Sequence, residues 1–464
     1  MEAAARLALN QLPEMIPGEQ DGKKVAVEYA LPIVNINLKK KCMRLSIPLS
    51  YSIFLFFFLF TSTQGFTQSS YLAQIGVTDS IFSKTLGENR VFWVQVPESF
   101  NPQKPTKYPV VYVLDGGVHL NAVSTVHSYY SGGYIPEMIM VGISNRTKRT
   151  RDLTTSKVEI RRGVTYNQES GGADKFIQFI EDELIPFIDD KYPTTNYRTL
   201  IGHSYAGLFA INALIHHTHL FNNYLAIDPS LDWDDQKLLK QSKEILGKKS
   251  FKGKSLFISL GGQLHMQKSE ININNVMKDT SEYTLFARSN IEFSRLTEQN
   301  KQSELNTLWK FYESDIHGTI PLPSIMDGLI YFFNWYPIEG TDKFNSPDTP
   351  TRELVQLIRN REKKLYEHFG YSVPPFDEEL FNMLGYMSMD MEQFEKSLAF
   401  FELNIEYYPE SANVYDSIAD YFLSQKDLDN ALINVTKAFE ISGNELYKNR
   451  IEDIKAQKKE ADKE

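Results

Sequence analysis

Leu200-Ile201-Gly202-His203-Ser204-Tyr205-Ala206-Gly207-Leu208 is the stretch on which the fold turns. It carries the pattern G-x-S-x-G between an apolar run and a helical one. A strand entering such a segment must turn sharply into a helix. Glycines on both flanks let backbone pass close to backbone, so the serine sits at the tip of the turn with its Oγ free. The helix that follows offers unpaired amides and a partial positive charge where an oxyanion would develop. The pattern alone is weak. An apolar strand before it and a helix after it make it specific.

Outward from that point the chain alternates strands and helices. Upstream, Arg90–Val96 alternates apolar and polar residues, while Tyr108–Leu114 and Met138–Ile143 are continuous apolar runs, as in strands buried on both faces. Phe176, Ile177, Phe179, Ile180, Leu184, Phe187 and Ile188 recur with helical period over Gly172–Ile188. Tyr197–Ile201 is the strand into the elbow and Leu208–His217 the helix out of it. Asn223–Ile227, Ser255–Leu260 and Leu308–Tyr312 are further strands, and Ser324–Trp335 a further helix. This order predicts an α/β fold with a mostly parallel sheet.

A serine nucleophile needs a base. Of nine histidines, His203 lies inside the elbow and is expected to pack elsewhere. His216, His217 and His219 form a surface cluster at a helix end. His317 stands on a loop after the last core strand, 113 residues beyond Ser204, where the order Ser, acid, His places the base.

Several stretches together carry a resemblance: Tyr108–Gly116, Val141–Arg146 with Arg149, Arg151, Asp152 and Leu153, Gly171–Asp174, Asp228-Pro229-Ser230-Leu231-Asp232-Trp233 and His317-Gly318-Thr319-Ile320-Pro321-Leu322-Pro323. Residues 85–335 resemble the esterase D and siderophore-esterase branch of the α/β-hydrolases. The resemblance implies an α/β-hydrolase that cleaves carboxylic esters through Ser204, with no metal or organic cofactor. It places the oxyanion hole at the amide of Tyr205 and at an amide near Gly116, Gly117 or Val118, with Gly117 as the choice. Arg146, Arg149 and Arg151 border the expected pocket mouth, either to grip an anionic substrate or to pair with Asp152 and neighbouring acids.

One departure concerns the acid. In such triads it usually follows the strand that here ends at Leu260-Gly261-Gly262, yet Gln263, Leu264, His265, Met266 and Gln267 come next. Glu270 is the expected acid, with Asp279, Asp315 or no acid at all as alternatives. A carboxylate in this role orients the imidazole and stabilises its charge.

After Pro350 the strand pattern stops and helical spacing takes over. Gly385 aligns with Ala419, Phe394 with Leu428, Ser397 with Ala431, Phe401 with Val435 and Pro409 with Gly443, all at 34 residues. These small and large positions resemble a tetratricopeptide repeat. Two repeats are fewer than usually stand alone, so they are expected to lean on the hydrolase or on a flanking helix Thr351–Phe369. They would shape the substrate site or bind a protein partner.

The beginning of the chain reads differently. Lys39, Lys40, Lys41 and Arg44 precede the apolar run Ile53–Phe60 and then Thr61-Ser62-Thr63-Gln64-Gly65, the order of a secretory signal peptide with Met43 as its start. The run is too short for a bilayer span, which takes about 20 residues. Residues 1–38 resemble the end of a TonB-family C-terminal domain, expected to be a remnant occupying 1–42. The expected domains are thus 1–42, a signal peptide 43–65, an α/β-hydrolase 70–345 and an all-α tetratricopeptide-like domain 350–455, in a periplasmic or secreted protein.

Composition removes other classes. Forty-nine Lys and Arg against 59 Asp and Glu give a net charge of −10, with nothing to neutralise a run of phosphates, which argues against nucleic acid as partner. A single cysteine excludes a disulfide framework and a cysteine zinc site. A serine esterase acting on a siderophore or polysaccharide-linked acyl ester is the leading reading. An acyltransferase on the same scaffold, or a binding protein of weak turnover, are the alternatives.

Overall fold

The computed structural model describes residues 18–20, 23–25, 76–103, 106–161, 163–265 and 267–461. The chain separates into units 1–72 and 73–464. In the first, strands β1 (Gly18–Gln20) and β2 (Lys23–Val25) pair as an antiparallel hairpin. The expected signal peptide at 43–65 and, apart from this hairpin, the expected TonB-like remnant lie outside the described residues.

The second unit is built on an eight-stranded sheet. Its strands are β3 (Val77–Ser83), β4 (Glu88–Gln95), β5 (Tyr108–Val113), β6 (Ile139–Ile143), β9 (Thr194–His203), β10 (Asn223–Ile227), β11 (Ser255–Gly261) and β12 (Asn306–Tyr312); the short pair β7 (Ile160–Arg161) and β8 (Val164–Thr165) forms a separate hairpin. The order across the sheet is β12-β11-β10-β9-β5-β6-β4-β3. All pairings from β6 to β12 are parallel, and β4 and β3 join antiparallel at one edge. β5, β6 and β10 are buried along their whole length, as strands covered on both faces must be. β12 alternates, as an edge strand with one wet face does.

Period-two alternation divides the core. Val110 and Tyr112 of β5, with Tyr224 and Ala226 of β10, face one side. There they meet helices α3 (Ala173–Phe179), α4 (Ile185–Lys191), α5 (Tyr205–His216) and α6 (Trp233–Leu246). Val111, Val113, Leu225 and Ile227 face the other side, against α1 (Gly116–Tyr130) and α8 (Pro321–Phe332). A short helix α2 (Arg149–Leu153) follows β6, and α7 (Leu285–Gln299) precedes β12. The helix expected over 172–188 is interrupted by a π-helical turn, Ile180–Leu184. Pro186 sits at the start of α4 and has no amide to give, so the backbone widens by a residue just before it.

Beyond the sheet the chain is entirely helical: α9 (Thr351–Phe369), α10 (Glu378–Asp390), α11 (Phe394–Tyr407), α12 (Ala412–Ser424), α13 (Leu428–Ser442) and α14 (Glu445–Ala461). Asp377 and Asp427 accept the amides of Leu380 at 2.7 Å and Asn430 at 3.1 Å, capping α10 and α13. α9 fastens these helices to the sheet. Its Leu365 and Phe369 join the core with Tyr197 and Phe333, and His368 stacks on Trp335 with centroids 3.9 Å apart. Among the described residues no helix is long and apolar enough to cross a membrane.

Candidate active site

β9 delivers His203 and Ser204 to the carboxyl edge of the sheet, and α5 begins at once with Tyr205. Ser204 is held at φ 64°, ψ −116°, a conformation that costs a non-glycine residue strain and persists only because its surroundings impose it. Its amide donates to Ile227 O at 2.9 Å, and its carbonyl accepts from Leu208 at 3.0 Å and Ser230 at 3.1 Å. Gly202 is required here: a Cβ on it would lie 2.1 Å from Ala206 O. The turn sits beside the end of β10, whose next residues are Asp228, Pro229 and Ser230. Ser230 Oγ lies 3.4 Å from Ser204 Oγ.

His317 comes to the same edge on the loop after β12. Gly262 N donates to Asp315 O at 2.7 Å, and a Cβ on Gly262 would come within 1.9 Å of Glu313 O. Only glycine lets this loop cross so close to the end of β11. The imidazole lies between His203, with ring centroids 4.5 Å apart, and Phe286 at 5.6 Å.

The partner of His317 is Asp228. Its Oδ2 lies 2.5 Å from His317 Nδ1, and its Oδ1 accepts Gly261 N at 3.0 Å. The carboxylate is 3% exposed and the imidazole 46%. Glu270, expected in this place, is exposed instead, with its backbone carbonyl holding Asn272 and Asn275. Asp279 accepts from Ser281 and Thr284 ahead of α7. Asp315 accepts from Thr319 at 2.8 Å within its own loop. The expectation failed by one strand. β10 and β11 are neighbours about 4.8 Å apart, so a side chain at the end of either reaches the same imidazole.

The loop expected to complete an oxyanion hole follows β5. Leu114 N donates to Ile201 O at 3.0 Å, which sets Asp115-Gly116-Gly117 alongside the elbow. Arg149 bridges the two, with Nε on Asp115 Oδ2 at 2.9 Å and an Nη on His203 O at 3.2 Å. Asp115 adopts the left-handed conformation, φ 52°, and α1 begins beside it. The amide of Val118 is already given to Asp115 O at 2.8 Å, so the first amides of α1, at Gly116 and Gly117, are the ones its N-terminus presents. Burial pushes the Asp115 carboxyl up, against the pull of Arg149.

The arginines divide. Arg151 pairs with Glu88 at 2.5 Å and Asp152 at 2.7 Å, and Arg90 pairs with Asp152 at 2.7 Å. Hydrogen bonding from Arg151 draws the Glu88 carboxyl down to about 2. Arg146 is exposed. Arg161, which the sequence did not single out, lies against the site from the β7–β8 hairpin. It donates to Tyr205 Oη and to Asp232 at 3.3 Å, and its guanidinium lies 4.9 Å from the Trp233 ring.

His203, Asp228 and His317 are also the residues that could approach a metal, their ligand atoms lying within 4.8 Å of one another. The 2.5 Å contact between Asp228 and His317 is shorter than the roughly 3.3 Å that separates ligands around a tetrahedral ion with bonds of about 2.0 Å. The geometry suits a shared proton.

Comparison with known proteins agrees with this architecture. The family model described as "Putative esterase" matches residues 83–311. The ferri-bacillibactin esterase of Bacillus subtilis is 30% identical over 230 residues, which cover 46% of this chain and 78% of that protein. The siderophore triacetylfusarinine C esterase of Aspergillus fumigatus is 26% identical over 251 residues, 49% of this chain and 82% of the relative. Among solved structures, an IroE-like serine hydrolase from Shewanella oneidensis superposes with a TM-score of 0.59 at 27% identity, covering 72% of this chain and 99% of its own. An uncharacterised protein from Capnocytophaga ochracea shares the fold with a TM-score of 0.53 at 19% identity, over 82% of this chain and 99% of that one. That share exceeds the sheet-bearing region, so the likeness runs on into the helical extension. The chain belongs to the "Putative esterase" family of the α/β-hydrolases and is a carboxylic ester hydrolase.

Proposed function

We propose that the chain hydrolyses esters through an acyl-enzyme on Ser204. His317 takes the proton of Ser204 Oγ as that oxygen attacks the ester carbonyl. Asp228 fixes Nδ1–H of His317 and stabilises the imidazolium. The amides of Tyr205 and Gly117 receive the oxyanion. The alcohol leaves with the proton from His317, and water activated by the same imidazole releases the acid. The observation that carries this reading is the Asp228–His317 contact of 2.5 Å beside a serine on a strained elbow. A binding protein without turnover drew its support from the want of a carboxylate after β11, and Asp228 removes that support.

The substrate we infer is a siderophore ester, the class named for the relatives in Bacillus and Aspergillus. The basic, apolar and small-residue order of 43–65 supports export to the periplasm or beyond. Helices α10–α11 and α12–α13 are read as two tetratricopeptide-like units. Their starts, Glu378 and Ala412, then Phe394 and Leu428, repeat at the spacing seen in the sequence, and Ser397 Oγ donates to Gly385 O at 2.9 Å between paired helices. Such a pair offers a face to a protein partner.

The test compares the chain with its Ser204→Ala variant on p-nitrophenyl acetate and butyrate, then on siderophore esters. Hydrolysis lost in the variant is expected. Equal activity in both would overturn the assignment of Ser204. Transfer of the acyl group to an added alcohol in preference to water would favour the acyltransferase.

A further inference from the structure

His203 was expected to pack away from the chemistry. Instead it lies against the base. Its ring and that of His317 are 4.5 Å apart at centroids with planes at 41°. Its other edge meets His119 of α1, 5.5 Å away at 84°. Its Nε2 is buried and has no partner among the described residues.

The position in the chain gives these contacts a consequence. His203 immediately precedes Ser204 on β9, while His317 arrives on a separate loop 113 residues later. Arg149 anchors the His203 carbonyl at 3.2 Å, and β10 pairs with β9 so that Ile227 lies opposite His203, one residue before Asp228. One side chain therefore touches the base from the strand that carries the nucleophile and is paired with the strand that carries the acid. Phe286 also meets the imidazole, in a T-shaped contact at 5.6 Å.

We propose that His203 is a positioning residue, which holds the His317 imidazole beside Ser204 through the contact of its ring with the ring of the base. This rests on His317 serving as base to Ser204. Burial, and the nearby His317 and Arg149, push the His203 imidazole down to about 3. It stays neutral at working pH and does not compete with His317 for the proton.

Three variants test the ring contact: His203→Phe keeps a ring, His203→Asn keeps a polar group without one and His203→Ala keeps neither. They are assayed in the full chain on p-nitrophenyl butyrate. His203→Ala is expected to lose about 10²-fold in kcat with KM little changed, as for a reacting group displaced by about an ångström. Phe should restore part of that loss and Asn little of it. The downfield proton NMR signal of the Asp228–His317 bond should be sharp in the parent, retained in Phe and broadened in Ala. Activity that survives Ser204→Ala would overturn the mechanism beneath the proposal. Ser204-dependent activity that His203→Ala leaves within about twofold would overturn the positioning role alone. Equal losses in all three variants, tracking their melting temperatures with the NMR signal unmoved, would also overturn it. If His203→Ala does not fold, the Asn and Phe pair carries the same comparison.

Discussion

Asp228 Oδ2 meets His317 Nδ1 at 2.5 Å while its other oxygen accepts the Gly261 amide at 3.0 Å, so a buried carboxylate has both oxygens occupied and one orientation. Asp228 itself sits at φ 45°, and its amide donates to Ser259 O at 3.0 Å, which pins the turn against β11. Asp228→Asn should keep the fold and lower kcat by about 10³ to 10⁴-fold, because the amide favours the wrong imidazole tautomer. Glu270→Gln should stay within about twofold of the parent. Steady-state ester hydrolysis by the two variants checks the assignment, and the reverse order would refute it.

Gly262 governs how close the base loop comes to β11. Gly262→Ala would put a methyl group 1.9 Å from Glu313 O, so the loop must move. The cost expected is about 1–3 kcal/mol of stability, with a fall in kcat from the displaced imidazole. Thermal unfolding measured beside kcat checks both; an unchanged kcat would show that the loop recovers its path.

Stability should fall in mild acid through the buried histidines. His127 accepts Met138 N on Nε2 at 3.0 Å, and burial pushes its imidazole down to about 4. Between the ordinary value of about 6.5 and pH 4 the unfolded chain takes up a proton that the folded chain refuses. Stability is therefore present above 6.5 and drains away as pH falls towards 4. His119 and His203, pushed down to about 4 and about 3, act with the same sign. His127→Gln keeps an acceptor without titrating. Its melting temperature should vary less steeply between pH 6.5 and 4, and a slope equal to the parent's would count against the argument.

Phe369 is the chief apolar anchor of the helical extension. Its ring lies 5.1 Å from both Tyr197 and Trp335 and 5.4 Å from Tyr371. Phe369→Ala should cost about 3–5 kcal/mol. Limited proteolysis should then cut near α9 before it cuts the sheet. Simultaneous loss of both regions would show that they unfold as one body.

Much of this was legible in local sequence. The continuous apolar runs gave β5 and β6, because strands covered on both faces have no polar side to show. The elbow read correctly because the glycines and the serine answer steric demands made within five residues. The loop of His317 followed from its place after the last strand. The helical character after Pro350 was local as well, read from the spacing of apolar residues.

What tertiary structure decided is which residues meet. Asp228 stood in the sequence within a stretch already recognised, yet its role depends on β10 lying between β9 and β11 and on a loop arriving from 89 residues away. The same holds for His203, whose neighbour is fixed by the crossing of two segments far apart in the chain. Periodicity reports which face of an element is buried, since hydrophobic burial acts residue by residue. It carries no record of which strand lies next to which, and a hydrogen bond of 2.5 Å depends on that order alone.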